Sequence, residues 1–104
     1  MCGIIGRWSK AQPINRFTFM AMRDSMKHRG PDGEGAWFHP QKHLALGHRR
    51  LSFLDLSESG TQPLSNKSGS VWATVNGEIY NYIELREELR SKGHVFRSET
   101  DSEV

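Results

Sequence analysis

Two stretches with helical periodicity alternate with short β-prone stretches along the 104 residues of this chain. In residues 14–28 apolar side chains recur at spacings of three, four and seven, which predicts an amphipathic helix. Gly30 and Pro31 mark its end. A second helix is predicted over residues 81–92, ending at Gly93. Helices interleaved with strands in a chain of this length predict one α+β domain.

The β-prone stretches are short and are bounded by turn-forming residues. Strands are predicted at residues 2–9, in a hairpin over residues 33–50 that turns at 40–42, and at residues 71–75 and 94–98. Residues 50–70 are rich in serine, glycine and proline and are predicted to be mostly loop.

Two capping-box patterns mark helix starts, Asn81 with Glu84 and Thr100 with Glu103. The second pattern opens a helix with almost no sequence after it, so we expect the natural chain to continue and residues 1–104 to be a partial domain. We expect the isolated piece to be unstable and inactive, with Asp101 on a frayed end. Inner sheet residues would then be exposed, namely Ile4, Trp8, Val71 and Val75.

The composition limits the classes of function. A net charge of +2 is too small to indicate a nucleic-acid-binding surface, and no apolar stretch approaches the length of a membrane span. The single cysteine excludes an internal disulfide and favours a reducing compartment, the cytoplasm. The five histidines lack the spacing of metal ligands, so we expect no metal site.

That single cysteine occupies position 2, directly after the initiator methionine. Removal of Met1 would leave a thiol and a free α-amine on Cys2. An α-amine titrates near neutral pH, with a reference pKa of about 7.7–8.0, so it can take the proton of the adjacent thiol. This arrangement is typical of an N-terminal nucleophile. The alternative is that Cys2 is simply a small buried apolar residue.

An acyl-transfer nucleophile also needs hydrogen-bond donors for the negative charge that develops on the substrate oxygen. The sequence NGEIYN follows the predicted strand at residues 71–75. Its Asn76 side chain and Gly77 backbone N–H are the candidate donors. The alternative for an Asn-Gly pair is an ordinary β-turn.

Six motifs occur in one order: MCGIIG, HRGPDGEG, LGHRRLSFLDLS, QPL, VNGEIYNYIELREEL and TDSEV. Together they closely resemble the class II glutamine amidotransferase domain of asparagine synthetases, which belongs to the N-terminal nucleophile hydrolases. The resemblance extends from Cys2 to Val104. Glucosamine-6-phosphate synthases and amidophosphoribosyltransferases look different at HRGPD and NGEIYN, and the β-lactam synthetase relatives lack the cysteine.

The resemblance implies a fold and a set of catalytic roles. The chain would be the N-terminal half of a four-layer αββα fold. Cys2 would attack the side-chain amide carbon of glutamine, with its own α-amine as general base. Asn76 and Gly77 would hold the oxyanion, and hydrolysis of the resulting thioester would release glutamate.

The resemblance also implies how the substrate is held. Arg50 would bind the α-carboxylate of glutamine, and backbone groups of residues 51–54 would line the same pocket. Glu78 and Asp101 would bind the α-ammonium. Without the resemblance, Asp101 would be part of a helix start and Glu78 a surface charge. Arg49 is expected to be either a solvated residue or one that contacts the residues of the site and not the substrate.

The ammonia would pass to a C-terminal synthetase domain that lies outside this chain, uses ATP and magnesium, and amidates aspartate. No cofactor is expected within residues 1–104, and a homodimer is compatible with the resemblance. Two alternatives stay open: an amidotransferase for another acceptor, a sugar or a peptide, and a non-catalytic module that binds an amino acid.

Overall fold

A three-stranded antiparallel sheet is the largest element of the fold. The computed structural model describes residues 2–51 and 60–104. In these ranges the elements follow in the order β1 Gly3–Trp8, α1 Arg16–Asp24, β2 Gly33–Phe38, β3 Leu44–Arg50, β4 Leu64–Ser65, β5 Trp72–Ala73, α2 Tyr82–Ser91 and a 3₁₀ turn Asp101–Glu103. The predicted α+β class is confirmed.

Strand β3 occupies the centre of the sheet, whose strand order is β1-β3-β2. Gly3 pairs with Arg49 across β1 and β3, and Glu34 pairs with Arg49 across β2 and β3. The predicted hairpin of β2 and β3 is confirmed. His39 N–H donates to the carbonyl of Leu44 at 2.8 Å, and Lys42 adopts a left-handed φ of 59° at the predicted turn.

Helix α1 covers one face of the sheet. Successive strand residues point to opposite faces, so Ala45, Gly47 and Arg49 share the face that meets α1. Gly47 permits this approach, because a Cβ there would lie 3.1 Å from the ring of Phe19. Phe19 is 1% exposed and packs edge-on against Phe38 with ring centroids 5.4 Å apart. This contact forms the centre of the apolar core.

The segments around β4 and β5 cover the opposite face, on which His48 and Arg50 lie. Trp72 stacks on Trp37 with ring centroids 4.7 Å apart. A side chain on Gly35 would overlap with the carbonyl oxygen of Gln62, so glycine lets these two backbones touch. The described residues therefore form three layers, in the order helix, sheet and β hairpin.

The first helix is shorter than the predicted 14–28. The Asn15 side chain accepts a hydrogen bond from Thr18 N–H at 2.9 Å and begins α1 two residues later than expected. At the other end the chain continues as turns with three-residue hydrogen bonds, such as Arg29 N–H to the carbonyl of Met26. The predicted strand at 71–75 is likewise reduced to Trp72–Ala73.

The predicted strand at residues 94–98 is wrong. The Glu103 carboxylate accepts hydrogen bonds from the backbone N–H groups of Arg97 and Ser98, at 2.7 and 2.8 Å, which ties this stretch into a loop instead of a ladder. The predicted capping box of Thr100 and Glu103 is also wrong, because the Glu103 side chain makes these contacts instead. Glu103 turns back to 97 and 98, and only a three-residue 3₁₀ turn forms.

Helix α2 begins at the predicted place and ends at Gly93, whose φ is 92°. Asn81 occupies the N-cap position, but its side chain makes no capping hydrogen bond, so the predicted capping box with Glu84 is wrong in detail. Of the four apolar residues expected to be exposed, Ile4, Trp8 and Val71 are exposed and Val75 is half-buried. The part of the predicted loop at residues 52–59 lies outside the described residues.

Candidate active site

The thiol of Cys2 lies beside the end of the central strand. Leu51 N–H donates to its Sγ at 3.3 Å, and the Sγ–H reaches the carbonyl of Leu51 at 3.6 Å. The guanidinium of Arg29 donates to the carbonyl of Cys2 at 3.3 Å. Cys2 is therefore held in place by contacts of both its side chain and its backbone, and it is half-buried rather than a core residue. Sequence reasoning missed Arg29, although it stands inside the HRGPDGEG motif.

The two arginines of the HRR sequence point to opposite faces of β3. Continuing the register of Gly3 with Arg49 by one residue places Cys2 opposite Arg50, and residues opposite each other share a face. Arg50 is half-buried and belongs to the nucleophile's face. The carboxylate-binding role of Arg50 stays a prediction. The predicted pocket-lining residues 52–54 lie outside the described residues.

Of the two expectations for Arg49, a solvated residue or one that supports the site, the first is wrong. Arg49 is 4% exposed and donates to the carbonyl of Gly30 at 3.1 Å and to Asp24 at 3.2 Å, and it also pairs with Glu34. A side-chain hydrogen bond from Arg23, opposed by partial burial, lowers the pKa of Asp24. Arg49 thus ties helix α1 and strand β2 to the strand that carries Arg50.

The segment that leads into NGE runs along the same face towards the same end. Trp72 stacks over Trp37, which pairs with Leu46, and Thr74 bonds to His48, two residues farther along β3. From Trp72 to Thr74 the segment runs towards the end of β3 that holds Arg50, and Asn76 follows Thr74 by two residues. Asn76 and Gly77 are both exposed.

Glu78 and Asp101 are brought together by one backbone hydrogen bond. Ile79 N–H donates to Asp101 Oδ2 at 2.6 Å, which places Asp101 beside the residue that follows Glu78. The expectation that Asp101 lies on a frayed end is wrong, because Asp101 is 5% exposed and is fixed by this bond. Among the described residues, no Lys, Arg or His forms an ion pair with Asp101.

His48 is a buried residue of this face that sequence reasoning did not place in the site. It is 1% exposed, and its Nδ1 lies 2.8 Å from Thr74 Oγ1. Burial, with the nearby charge of Arg50, lowers the pKa of His48 to about 4. A neutral imidazole therefore links β3 to the segment before Asn76. The sequence could have placed His48 in the site from its spacing of two residues from Arg50, because residues two apart in a strand share one face.

Neither a metal site nor a membrane span is found in the parts of the chain that the structure describes. No group of three or more His, Cys, Asp or Glu side chains in residues 2–51 and 60–104 is arranged to hold a metal ion. No helix in these ranges has the length and apolar character needed to cross a membrane.

Comparison with known proteins decides the family. The sequence profile described as "Glutamine amidotransferase domain" matches residues 1–104. The chain belongs to this glutamine amidotransferase family. It is 46% identical over 108 aligned residues to "Asparagine synthetase [glutamine-hydrolyzing] 1" of Bacillus subtilis (strain 168), covering 100% of this chain and 17% of that protein. The predicted family is confirmed.

Two further relatives of this amidotransferase domain match most or all of it. "Asparagine synthetase [glutamine-hydrolyzing]" of Sandersonia aurantiaca is 42% identical, over 100% of this chain and 19% of the relative. "Amidase chry2" of Gibberella zeae is 43% identical over 81 residues, which are 78% of this chain and 12% of the relative. The chain thus spans less than a fifth of the length of these relatives.

The lowered pKa of His48 predicts an acid-sensitive fold of this domain. The pKa of a histidine in an unfolded chain is about 6.5, so below that pH the unfolded state binds a proton that folded His48 does not bind until about pH 4. Stability is therefore full above about pH 6.5 and declines as the pH falls to about 4. The loss attributable to His48 is on the order of 3 kcal/mol.

His48→Gln keeps a hydrogen-bonding side chain without a titrating group, and should flatten the fall of melting temperature between pH 6.5 and 4. His94→Gln is the matched control, because His94 is exposed. Melting curves recorded across this pH range on the protein at its natural length check the prediction. Parallel pH profiles for wild type and His48→Gln would contradict it.

Proposed function

We propose that this chain hydrolyses the side-chain amide of glutamine and forms the glutaminase part of a glutamine-dependent asparagine synthetase. The observation that carries the proposal is the position of Cys2. Its Sγ lies 3.3 Å from the backbone nitrogen of Leu51, directly after Arg50. A nucleophile and a cation suited to a substrate carboxylate thus stand at one end of β3.

The first half of the reaction begins on Cys2 after removal of Met1. The α-amine takes the thiol proton, and the Sγ forms a bond to the amide carbon of the glutamine side chain. Negative charge moves to the amide oxygen, which the Asn76 side chain and the Gly77 N–H stabilise. The protonated α-amine then gives its proton to the leaving nitrogen. The C–N bond breaks, ammonia leaves, and a thioester to Cys2 stays behind.

Water completes the second half. The α-amine accepts a proton from water as the water oxygen attacks the thioester carbon, and the same two donors hold the oxyanion. The C–S bond breaks, the thiol regains a proton, and glutamate is released. One residue thus supplies nucleophile and base, and no ionisable side chain other than the Cys2 thiol takes part in proton transfer.

The charges around the site match a free amino acid better than a glutamine within a peptide. Asp101 is 5% exposed and has no basic partner in the described part of the chain. A buried carboxylate without a cation is costly unless a cation binds to it. The α-ammonium of glutamine would be that cation, with Glu78 beside it and Arg50 at the α-carboxylate. A peptide-bound glutamine carries neither charge.

We propose that a synthetase domain outside this chain consumes the ammonia to amidate aspartate. ATP and magnesium would act there. The names of the relatives favour asparagine synthesis over amidation of a sugar or peptide. The cytoplasm is the compartment we propose.

We also propose the four-layer αββα fold of N-terminal nucleophile hydrolases for the complete domain. The three layers of the described residues support it, because α1, the three-stranded sheet and the β4–β5 hairpin already follow the order α, β, β. The second helical layer would cover the free side of the hairpin.

Replacement of Cys2 by Ala tests the function directly. In the protein at its natural length, Cys2→Ala should abolish asparagine formation from glutamine, because no thioester can form. Asparagine formation from ammonium salts should persist, because the acceptor site is elsewhere. Both rates are measured on the same preparation, so the ammonium reaction is the internal control. Simultaneous loss of both would count against a separate glutaminase site.

Arg50→Ala and Asn76→Ala should separate binding from chemistry. Loss of the remote carboxylate contact should mainly raise the KM for glutamine, since that contact is present before and during the reaction. Loss of an oxyanion donor should mainly lower kcat, by about 10²–10³-fold. Arg7→Ala serves as control, because Arg7 is an exposed arginine of β1. The reverse pattern in steady-state glutaminase kinetics would show that the two roles are wrongly assigned.

A further inference from the structure

Arg86 is a buried arginine of α2 that the proposed reaction does not use. It is 6% exposed, while the other arginine of the helix, Arg90, is exposed. The guanidinium carbon lies 5.4 Å from the ring centroids of both Tyr82 and Phe96. Two aromatic rings thus fix the guanidinium in one place.

The hydrogen bonds of Arg86 go to the loop before Asp101. Nη2 donates to the carbonyl oxygen of Thr100 at 2.7 Å, and this bond is buried. Nη1 donates to Glu99 at 3.3 Å, but that carboxylate is 81% exposed, so the pair contributes little. The buried cation therefore acts mainly on the backbone carbonyl of the residue that precedes Asp101.

This carbonyl belongs to the Thr100–Asp101 peptide, and the Asp101 side chain accepts a hydrogen bond at Oδ2 from Ile79 N–H at 2.6 Å. Asp101 is thus fixed on both sides, by Arg86 through its peptide and by Ile79 through its carboxylate. The other oxygen, Oδ1, has only a long contact of 3.4 Å with the Thr100 hydroxyl. This oxygen is the one left to accept an ammonium.

Helix α2 connects the two halves of this arrangement. The N-terminal end of the helix follows the NGE segment, which contains Glu78. Arg86 lies four residues after the first residue of the helix, and its side chain holds the loop that contains Asp101. Any shift of Arg86 would therefore move Asp101 relative to Glu78. The position of the Asp101 backbone therefore depends on a residue that the proposed reaction does not use.

We propose that Arg86 is a positioning residue that holds Asp101 to receive the α-ammonium of glutamine, and so selects substrates with a free α-amino group. This inference rests on the proposed function of the domain. Arg86 does not touch the substrate, and its loss leaves Cys2 and Asn76 in place. Its effect is therefore confined to recognition of the amino group.

Two substrates isolate this effect: glutamine, and glutaramate, which is glutamine without the α-amino group. In the protein at its natural length, Arg86→Met should raise the KM for glutamine about 10-fold, a size typical of residues that orient a ligand-binding group. The kcat for glutamine and the kcat/KM for glutaramate should stay near wild type. The preference for glutamine over glutaramate should therefore fall about 10-fold.

Arg90→Met is the matched control, because it removes an exposed arginine one turn farther along the same helix and should leave the preference unchanged. Arg86→Lys, which retains a cation and a donor but not the planar fork, should restore part of the preference. It also decides the question if Arg86→Met does not fold.

An equal loss of kcat/KM with both substrates would overturn the proposal, since it would mean that Arg86 only supports the fold. An unchanged preference in both Arg86 variants would overturn it as well. Failure of the wild-type protein to hydrolyse glutamine at all would instead overturn the proposed function. Wild-type turnover and variant preference therefore give separate answers.

Discussion

The pairing of β1 with β3 is the interaction on which the site depends. A residue at the start of a chain is usually poorly ordered unless the chain around it is tied down. Here six antiparallel pairs, from Gly3 with Arg49 to Trp8 with Leu44, fix the stretch directly after Cys2. They bring the thiol to the backbone of Leu51. Cys2, the nucleophile of the proposed reaction, therefore has a defined position although it is only the second residue of the sequence.

The two faces of β3 contact different layers of the domain. Ala45 and Gly47 face α1 and the apolar core, and Arg49 binds the carboxylates at its edge. His48 and Arg50 face the hairpin layer and the nucleophile. Neighbouring residues of a strand point to opposite sides. The two arginines of the HRR sequence therefore lie on different faces of β3, with Arg49 among the buried ion pairs and Arg50 at the candidate site.

Local patterns in the sequence predicted much of the fold and the candidate site. The hairpin and both helices follow from periodicity and turn residues, while the catalytic role of Cys2 stays a prediction from its position in the chain. The patterns failed where a side chain outside the periodic stretch accepts hydrogen bonds from its backbone. Residues 94–98 are β-prone, yet Glu103 accepts the N–H groups of Arg97 and Ser98 and no strand forms. Asp101 was expected to be mobile, because the helix predicted to begin at Thr100 has almost no sequence after it. Its bonds to Ile79 and, through Thr100, to Arg86 come from residues far away in the sequence. Long-range hydrogen bonds of this kind leave no periodic signal.

The most direct measurement is a mass spectrum of the N-terminal peptide after acid quenching of the protein, at its natural length, during turnover with glutamine. We expect Met1 to be absent and a glutamyl group to be attached to Cys2 through a thioester, and we expect this adduct to disappear once glutamine is exhausted. Full glutaminase activity in a protein that retains Met1, or a glutamyl group on any other residue, would show that the role proposed for Cys2 is wrong.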